Sequence, residues 1–112
     1  MILSGKGKAF CTGLDVKSVM GNPSNMSKLL DKPGGTEHSN LAQDVGYLWR
    51  QLPFPVIASL HGMCYGGGLQ IALGADFRIA TPDCKLSIME AKWGLIPGIA
   101  TIFLFLLWPY FF

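Results

Sequence analysis

Charge is scarce in this chain. Of 112 residues, nine are Lys or Arg and seven are Asp or Glu, so only 14% are charged and the formal net charge is +2. That small excess is not gathered into a basic run and no basic residues interleave with aromatic ones, which excludes a nucleic-acid-binding surface of the usual electrostatic kind. Cysteine is also sparse. Cys11, Cys64 and Cys84 are odd in number, far apart in sequence and free of any Cys-x-x-Cys spacing. A disulfide framework is excluded on that count, and His61 with Cys64 gives one ligand pair without a second, too few for a zinc site. Three reduced thiols point to an intracellular protein. Mitochondrion, peroxisome and cytosol fit equally.

The opening "MILSGKGKAF" puts its apolar residues ahead of its basic ones and has no apolar core, which excludes a secretory leader reading. It reads instead as the end of a buried strand running into a turn. Both phosphate-loop patterns are missing. Neither "GKGKAF" nor "GMCYGGGLQ" carries Gly-x-x-x-x-Gly-Lys-Ser/Thr, and Gly-x-Gly-x-x-Gly does not occur as written. Residues 94–112 hold no charge, but Pro97, Gly98 and Pro109 confine the helix-competent part to Ile99–Trp108. Ten residues rise only about 15 Å as a helix, too short for a bilayer that takes roughly 20 residues to span. A membrane partner is not expected. "TIFLFLLW" has the composition of a buried or self-associating segment.

Half of the residues are hydrophobic, and 14 are glycine. The length suits one domain with one modest core. Residues 1–4 read as a strand stub and 5–8 as a turn. Residues 18–40, rich in Ser, Asn, Gly, Pro and Lys, read as a long mobile surface loop. "SNLAQDVGYLWRQL" (39–52) is a helix, with Ser39 or Asn40 to cap it, an apolar stripe at Leu41, Val45, Leu48 and Leu52, and Pro53 and Pro55 to end it. "VIASLHG" has the nearly all-apolar pattern of a strand buried on both faces. Three glycines, 66 to 68, then precede the helix "LQIALGA". "DFRIA" and "CKLSIM" read as further strands, and "EAKWGLIPG" as a turn. Strand, helix and strand in close succession predict an α/β arrangement with parallel strands.

Glycine is a poor helix starter, so three of them between a buried strand and a helix call for a reason. A helix start offers unpaired N–H donors and partial positive charge. Bare glycines let an oxygen approach those donors, either a phosphate or a carbonyl that is gaining charge. A tight packing turn between strand and helix accounts for them equally well.

Three blocks, "GKGKAFCTGLDV", "PVIASLHGMCYGGGLQIALGADFRIA" and "KLSIMEAKWGLIPG", resemble in this order the signature blocks of the enoyl-CoA hydratase/isomerase family, the crotonases. The resemblance covers residues 1 to about 98. It implies a partial ββα spiral, an acyl-CoA thioester as substrate, and no cofactor beyond the coenzyme A of that substrate. Full-length relatives usually form trimers or pairs of trimers. Residues 99–112 fall outside the blocks and read as a non-homologous apolar tail, so the chain is expected to be a piece of such an enzyme, short at both ends.

The resemblance also assigns residues. Two backbone N–H groups, of Leu14 and Gly67, are expected to hold the thioester oxygen, and Thr12, Asp15, Val16, Gly66 and Met89 to line the substrate. Asp15 is expected mainly to order its loop. Hydratases of the family use two glutamates. The first of those positions is Gln70 here and the second is Glu90. Gln does not exchange protons at useful rates, so a two-carboxylate hydration is in doubt. A single Glu90 shuttling a proton between carbons, as in double-bond isomerisation, fits better, with Met89, Trp93 and Leu95 suggesting an apolar setting for it. Hydration with Gln70 orienting water, and a non-catalytic acyl-CoA binder or inactive fragment, are the alternatives. The bland reading of Glu90 is a strand-end carboxylate paired with Lys85 or Lys92. His61 is expected to make a structural hydrogen bond.

Overall fold

The structure, a computed structural model, describes residues 1–15, 17–18, 21–24, 27 and 41–93. Most of the loop expected over 18–40, together with Val16, Leu95 and the apolar stretch from residue 94 onward, lies outside them. The element order is β1 (Ile2–Ser4), α1 (Leu41–Tyr47) with a 3-10 extension Leu48–Gln51, β2 (Ile57–Leu60), β3 (Met63–Tyr65), α2 (Gly67–Gly74), β4 (Phe77–Ala80), β5 (Lys85–Ser87) and a closing 3-10 turn Met89–Trp93.

The strands form two sheets, both parallel. One runs β1-β2-β4, with Ala58 facing Leu3 on one side and Arg78 on the other. The second pairs β3 with β5, Cys64 facing Leu86. A single bridge, Cys11 to Cys64, adds a third line of backbone to it. The alternation of parallel strands with helices is the arrangement expected from the sequence.

β3 is not foreseen by the sequence pattern, which runs from one strand directly to the glycines. The cause is Gly62. It adopts φ +61°, and a Cβ there would collide with the carbonyl oxygen of Lys8. The chain turns at this residue and leaves the first sheet for the second. "VIASLHG" is therefore not one strand. Nor is β2 buried on both faces: Ala58 and Leu60 are buried, while Ser59 is exposed.

The core gathers Phe10, Val56, Ala58, Leu60, Cys64, Leu69, Ala72, Leu73 and Ala75, with Trp49 and Leu52 packed against it. Of the stripe expected on the first helix, Val45 and Leu48 are instead exposed. α1 turns Gly46 toward α2. A Cβ on Gly74 would strike the carbonyl of Gly46, so the helices cross backbone to backbone. Asp76 joins β2 to β4: its Oδ2 accepts from the Val56 N–H at 2.7 Å, and its own N–H donates to the Val56 carbonyl at 2.9 Å. Arg78 Nη1 closes the end of α2 on the carbonyls of Leu73 (3.4 Å) and Ala75 (2.7 Å). Among the described residues no helix is long and apolar enough to cross a membrane.

Gly62→Ala tests the turn. It sets a side chain at positive φ, which alone costs about 1–3 kcal/mol, and adds the collision with Lys8. Urea titration should give a loss of about 3 kcal/mol, whereas Gly7→Ala, with open space around it, should lose only the conformational part.

Candidate active site

The ladder that carries Cys11 is short but well bonded. The Cys11 N–H donates to the Met63 carbonyl at 3.2 Å, and the Cys11 carbonyl accepts from the Tyr65 N–H at 2.9 Å. This holds the segment 11–14 beside 63–67. Gly13 follows at φ +98°, and a Cβ there would lie 3.1 Å from the Tyr65 carbonyl and 3.3 Å from the Gly67 nitrogen. A Cβ on Gly67 would lie 3.9 Å from the Leu14 nitrogen. The amides of Leu14 and Gly67 are thus close neighbours. Neither donates to a backbone acceptor among the described residues. Gly13 was not singled out by sequence reasoning; its only signal was a glycine interrupting the short apolar piece "AFCTGLDV".

The three consecutive glycines have three different reasons. Gly66 precedes α2 at φ +53°, with its N–H donated to the Ser87 carbonyl at 2.9 Å, and a Cβ there would sit 3.5 Å from Glu90 Oε1. Gly67 has no steric need for glycine, because a Cβ there makes only ordinary contacts at 3.8 and 3.9 Å. Its missing side chain leaves the space between the two amides clear. Gly68 is a packing glycine, since a Cβ would strike Cys11, including its Cβ at 2.7 Å. The packing reading holds at Gly68, while at Gly67 the bare position leaves open space beside two amides.

Helix α2 places Gln70 one turn in from these amides, and the closing 3-10 turn brings Glu90 to it. Gln70 Nε2 donates to Glu90 Oε1 at 2.5 Å, and both side chains are half-buried. Glu90 finds its partner in this amide rather than in Lys85 or Lys92. Met89 borders Gly66, its Cβ 3.6 Å from the position of a Gly66 Cβ, and its Sδ accepts from Ser87 Oγ at 3.5 Å. Leu14, Gly66, Gly67, Gln70, Met89 and Glu90 are thus brought together. Thr12 and Asp15 lie on the exposed loop beside them, Asp15 Oδ1 accepting the Ser18 N–H at 3.2 Å. Val16 is outside the described residues, and so is the side chain of Trp93. His61 Nε2 lies 3.0 Å from the Gly7 carbonyl, in the turn that opens the first block. Among the described residues no group of three His, Cys, Asp or Glu side chains is placed to hold a metal ion.

Comparison with known proteins follows the same outline. The model of the enoyl-CoA hydratase/isomerase family matches residues 1–109, a span that reaches past residue 98 into the apolar stretch. The chain belongs to the enoyl-CoA hydratase/isomerase family. An enoyl-CoA hydratase of Mycobacterium tuberculosis is 38% identical over 96 residues, covering 86% of this chain and 34% of that protein. The fatty acid oxidation complex subunit alpha of Aliivibrio fischeri is 36% identical over 103 residues, 88% of this chain and 14% of that subunit. Among solved structures, the enoyl-CoA hydratase of Bacillus anthracis superposes with a TM-score of 0.71 at 33% identity, covering 87% of this chain and 35% of that one. That of Thermoplasma volcanium gives 0.68 at 31%, with 87% and 36% covered. The fold is that of the crotonases, and the chain spans about a third of the length of these hydratases.

Beneath the amides lies Cys64, with none of its surface exposed. Burial, with the neighbouring Cys84 and Cys11 thiols adding to it, pushes its pKa from 9.0 up to about 12. The unfolded chain gives up that proton near 9.0 and the folded chain does not. The stabilising contribution is present in full below pH 9 and is lost as the pH climbs towards about 12. Urea midpoints measured between pH 8 and 11 should fall with rising pH, and Cys64→Ala should flatten the fall.

Proposed function

We propose that the chain carries the acyl-thioester site of an enoyl-CoA hydratase/isomerase-type enzyme, with double-bond isomerisation as its reaction. The N–H groups of Leu14 and Gly67 would hold the thioester carbonyl oxygen. As a proton leaves C2 that oxygen takes up enolate charge, and donors already aligned stabilise it without reorganising. Glu90 is the acid/base. It would remove the C2 proton of a 3-enoyl thioester and return it at C4, giving the conjugated 2-enoyl product. Gln70 is a positioning residue, its amide holding Oε1 of Glu90 so that the carboxylate faces Gly66 and the amide pair.

The Gln70–Glu90 hydrogen bond carries this reading. Adding water across a double bond calls for proton transfer both to carbon and from water, which two carboxylates divide between them. Here one of the two positions, Gln70, is an amide donor already engaged with the other, Glu90. A one-carboxylate proton shuttle uses what is present. Thr12, Asp15, Val16 and Met89 are proposed to line the bound substrate, and a homotrimer or a pair of trimers is proposed as the assembly of the whole enzyme.

The test follows the conjugated-thioester absorbance with 3-enoyl-CoA and 2-enoyl-CoA as separate substrates. The absorbance should rise with the first and stay constant with the second. Loss of the 2-enoyl signal through hydration would reverse the assignment. Glu90→Gln should slow the 3-enoyl reaction by about 10²- to 10⁴-fold, the usual worth of a positioned acid/base. Gly67→Pro, which deletes an N–H, should cost about 10²-fold or more. Gln70→Glu should raise hydration relative to isomerisation.

A further inference from the structure

Cys11 and Cys64 are opposed across the ladder that builds the site, and each stands three residues ahead of one of its amide donors, Leu14 and Gly67. Residues in register on parallel strands present their side chains to the same face, at a strand separation of about 4.7–4.9 Å. Disulfides accept Cα separations of about 4.4–6.8 Å. Both side chains turn to the core, Cys64 fully buried and Cys11 partly exposed. Cys84 also packs there, but it lies two residues before Leu86, the β5 partner of Cys64. It precedes β5 and pairs with no residue of β3, so no strand register opposes it to Cys64 as the ladder opposes Cys11.

We propose that Cys11 and Cys64 are an oxidisable pair, closing to a disulfide under the amide site when a peroxide reaches Cys11. The partly exposed Cys11 thiolate attacks the peroxide O–O bond, becomes a sulfenic acid and releases hydroxide, which leaves as water with the thiol's proton. Cys64 then attacks the Cys11 sulfur. The S–S bond forms, the S–OH bond breaks, and the second water leaves with the Cys64 proton. One peroxide is reduced to two waters as two thiols become one disulfide. Cys64 has none of its surface exposed while Cys11 is partly exposed, so the oxidant meets Cys11 and Cys64 is left as the resolving thiol. Disulfide Cα separations centre on about 5.5–6 Å, wider than the ladder, so closure spreads the two segments that carry Leu14 and Gly67. Weaker thioester binding by the oxidised form is the consequence, and that part rests on the function proposed above.

The experiment treats the folded 112-residue chain with hydrogen peroxide, alkylates the remaining thiols in denaturant and maps the peptides by mass spectrometry. The expected product is a Cys11–Cys64 cross-linked peptide, lighter by two hydrogen atoms and reversible by dithiothreitol. It should persist in Cys84→Ser and vanish in Cys64→Ala. The same treatment in urea should give mixed pairings. A dominant Cys64–Cys84 product, identical pairings in folded and unfolded chain, or Cys11 carried to sulfinic acid beside an intact Cys64 thiol would each overturn the pair. The thermal shift given by acyl-CoA is then compared before and after oxidation. A shift that oxidation leaves unaltered removes the coupling while sparing the pair, and no shift in the reduced chain counts against the binding function instead.

Discussion

Two hydrogen bonds through Cys11 hold the site together. Its N–H reaches Met63 and its carbonyl receives Tyr65. Without them the segment 12–15 has no fixed relation to the glycines at the start of α2, and two amides more than fifty residues apart in sequence would not share one space. Everything downstream uses that registration. Gly13 turns tightly enough to set Leu14 beside Gly67, and Gly68 is bare so that α2 can sit directly on Cys11. The site is thus made of backbone at its centre, and the side chains of Gln70 and Glu90 are added at its rim.

The elements legible in the sequence are those whose signal is local. The helix over 41–51 and the strands around 57–60, 77–80 and 85–87 have apolar runs bounded by Pro, Gly or Asp, and parallel pairing follows from their alternation with helices. β3 had no such signal. It is three residues long, and what separates it from β2 is the backbone angle of one glycine. The split into two sheets is non-local in the same way, because it depends on where Lys8 and Cys11 run. The first helix shows how tertiary context overrides a stripe: Val45 and Leu48 have helical spacing, yet the face that meets α2 is chosen by Gly46.

The candidate site divides similarly. Leu14, Gly67, Gln70 and Glu90 are named by motif resemblance, and periodicity alone would not have chosen them. Their mutual geometry needed coordinates, above all the bond between Gln70 and Glu90. Gly13 went unnoticed because its contribution is a torsion angle and a close approach, neither of which a residue type announces by itself. Cys11 and Cys64 read as isolated buried thiols along the chain, and become opposed partners only when the ladder is known.

The crossing of α1 over α2 gives the Gln70–Glu90 pair a back wall. Gly74 meets the Gly46 carbonyl with no side chain between, and a Cβ on Gly46 would come within 3.3 Å of the Gln70 carbonyl. Main chain in direct contact cannot absorb a displacement by changing rotamers, as interdigitated side chains can. A shift of α1 is passed whole to the backbone of Gln70, and through its amide to the carboxylate of Glu90. The first helix, remote from the amide pair in sequence, is therefore the part of the molecule that sets how firmly the Glu90 carboxylate is aimed.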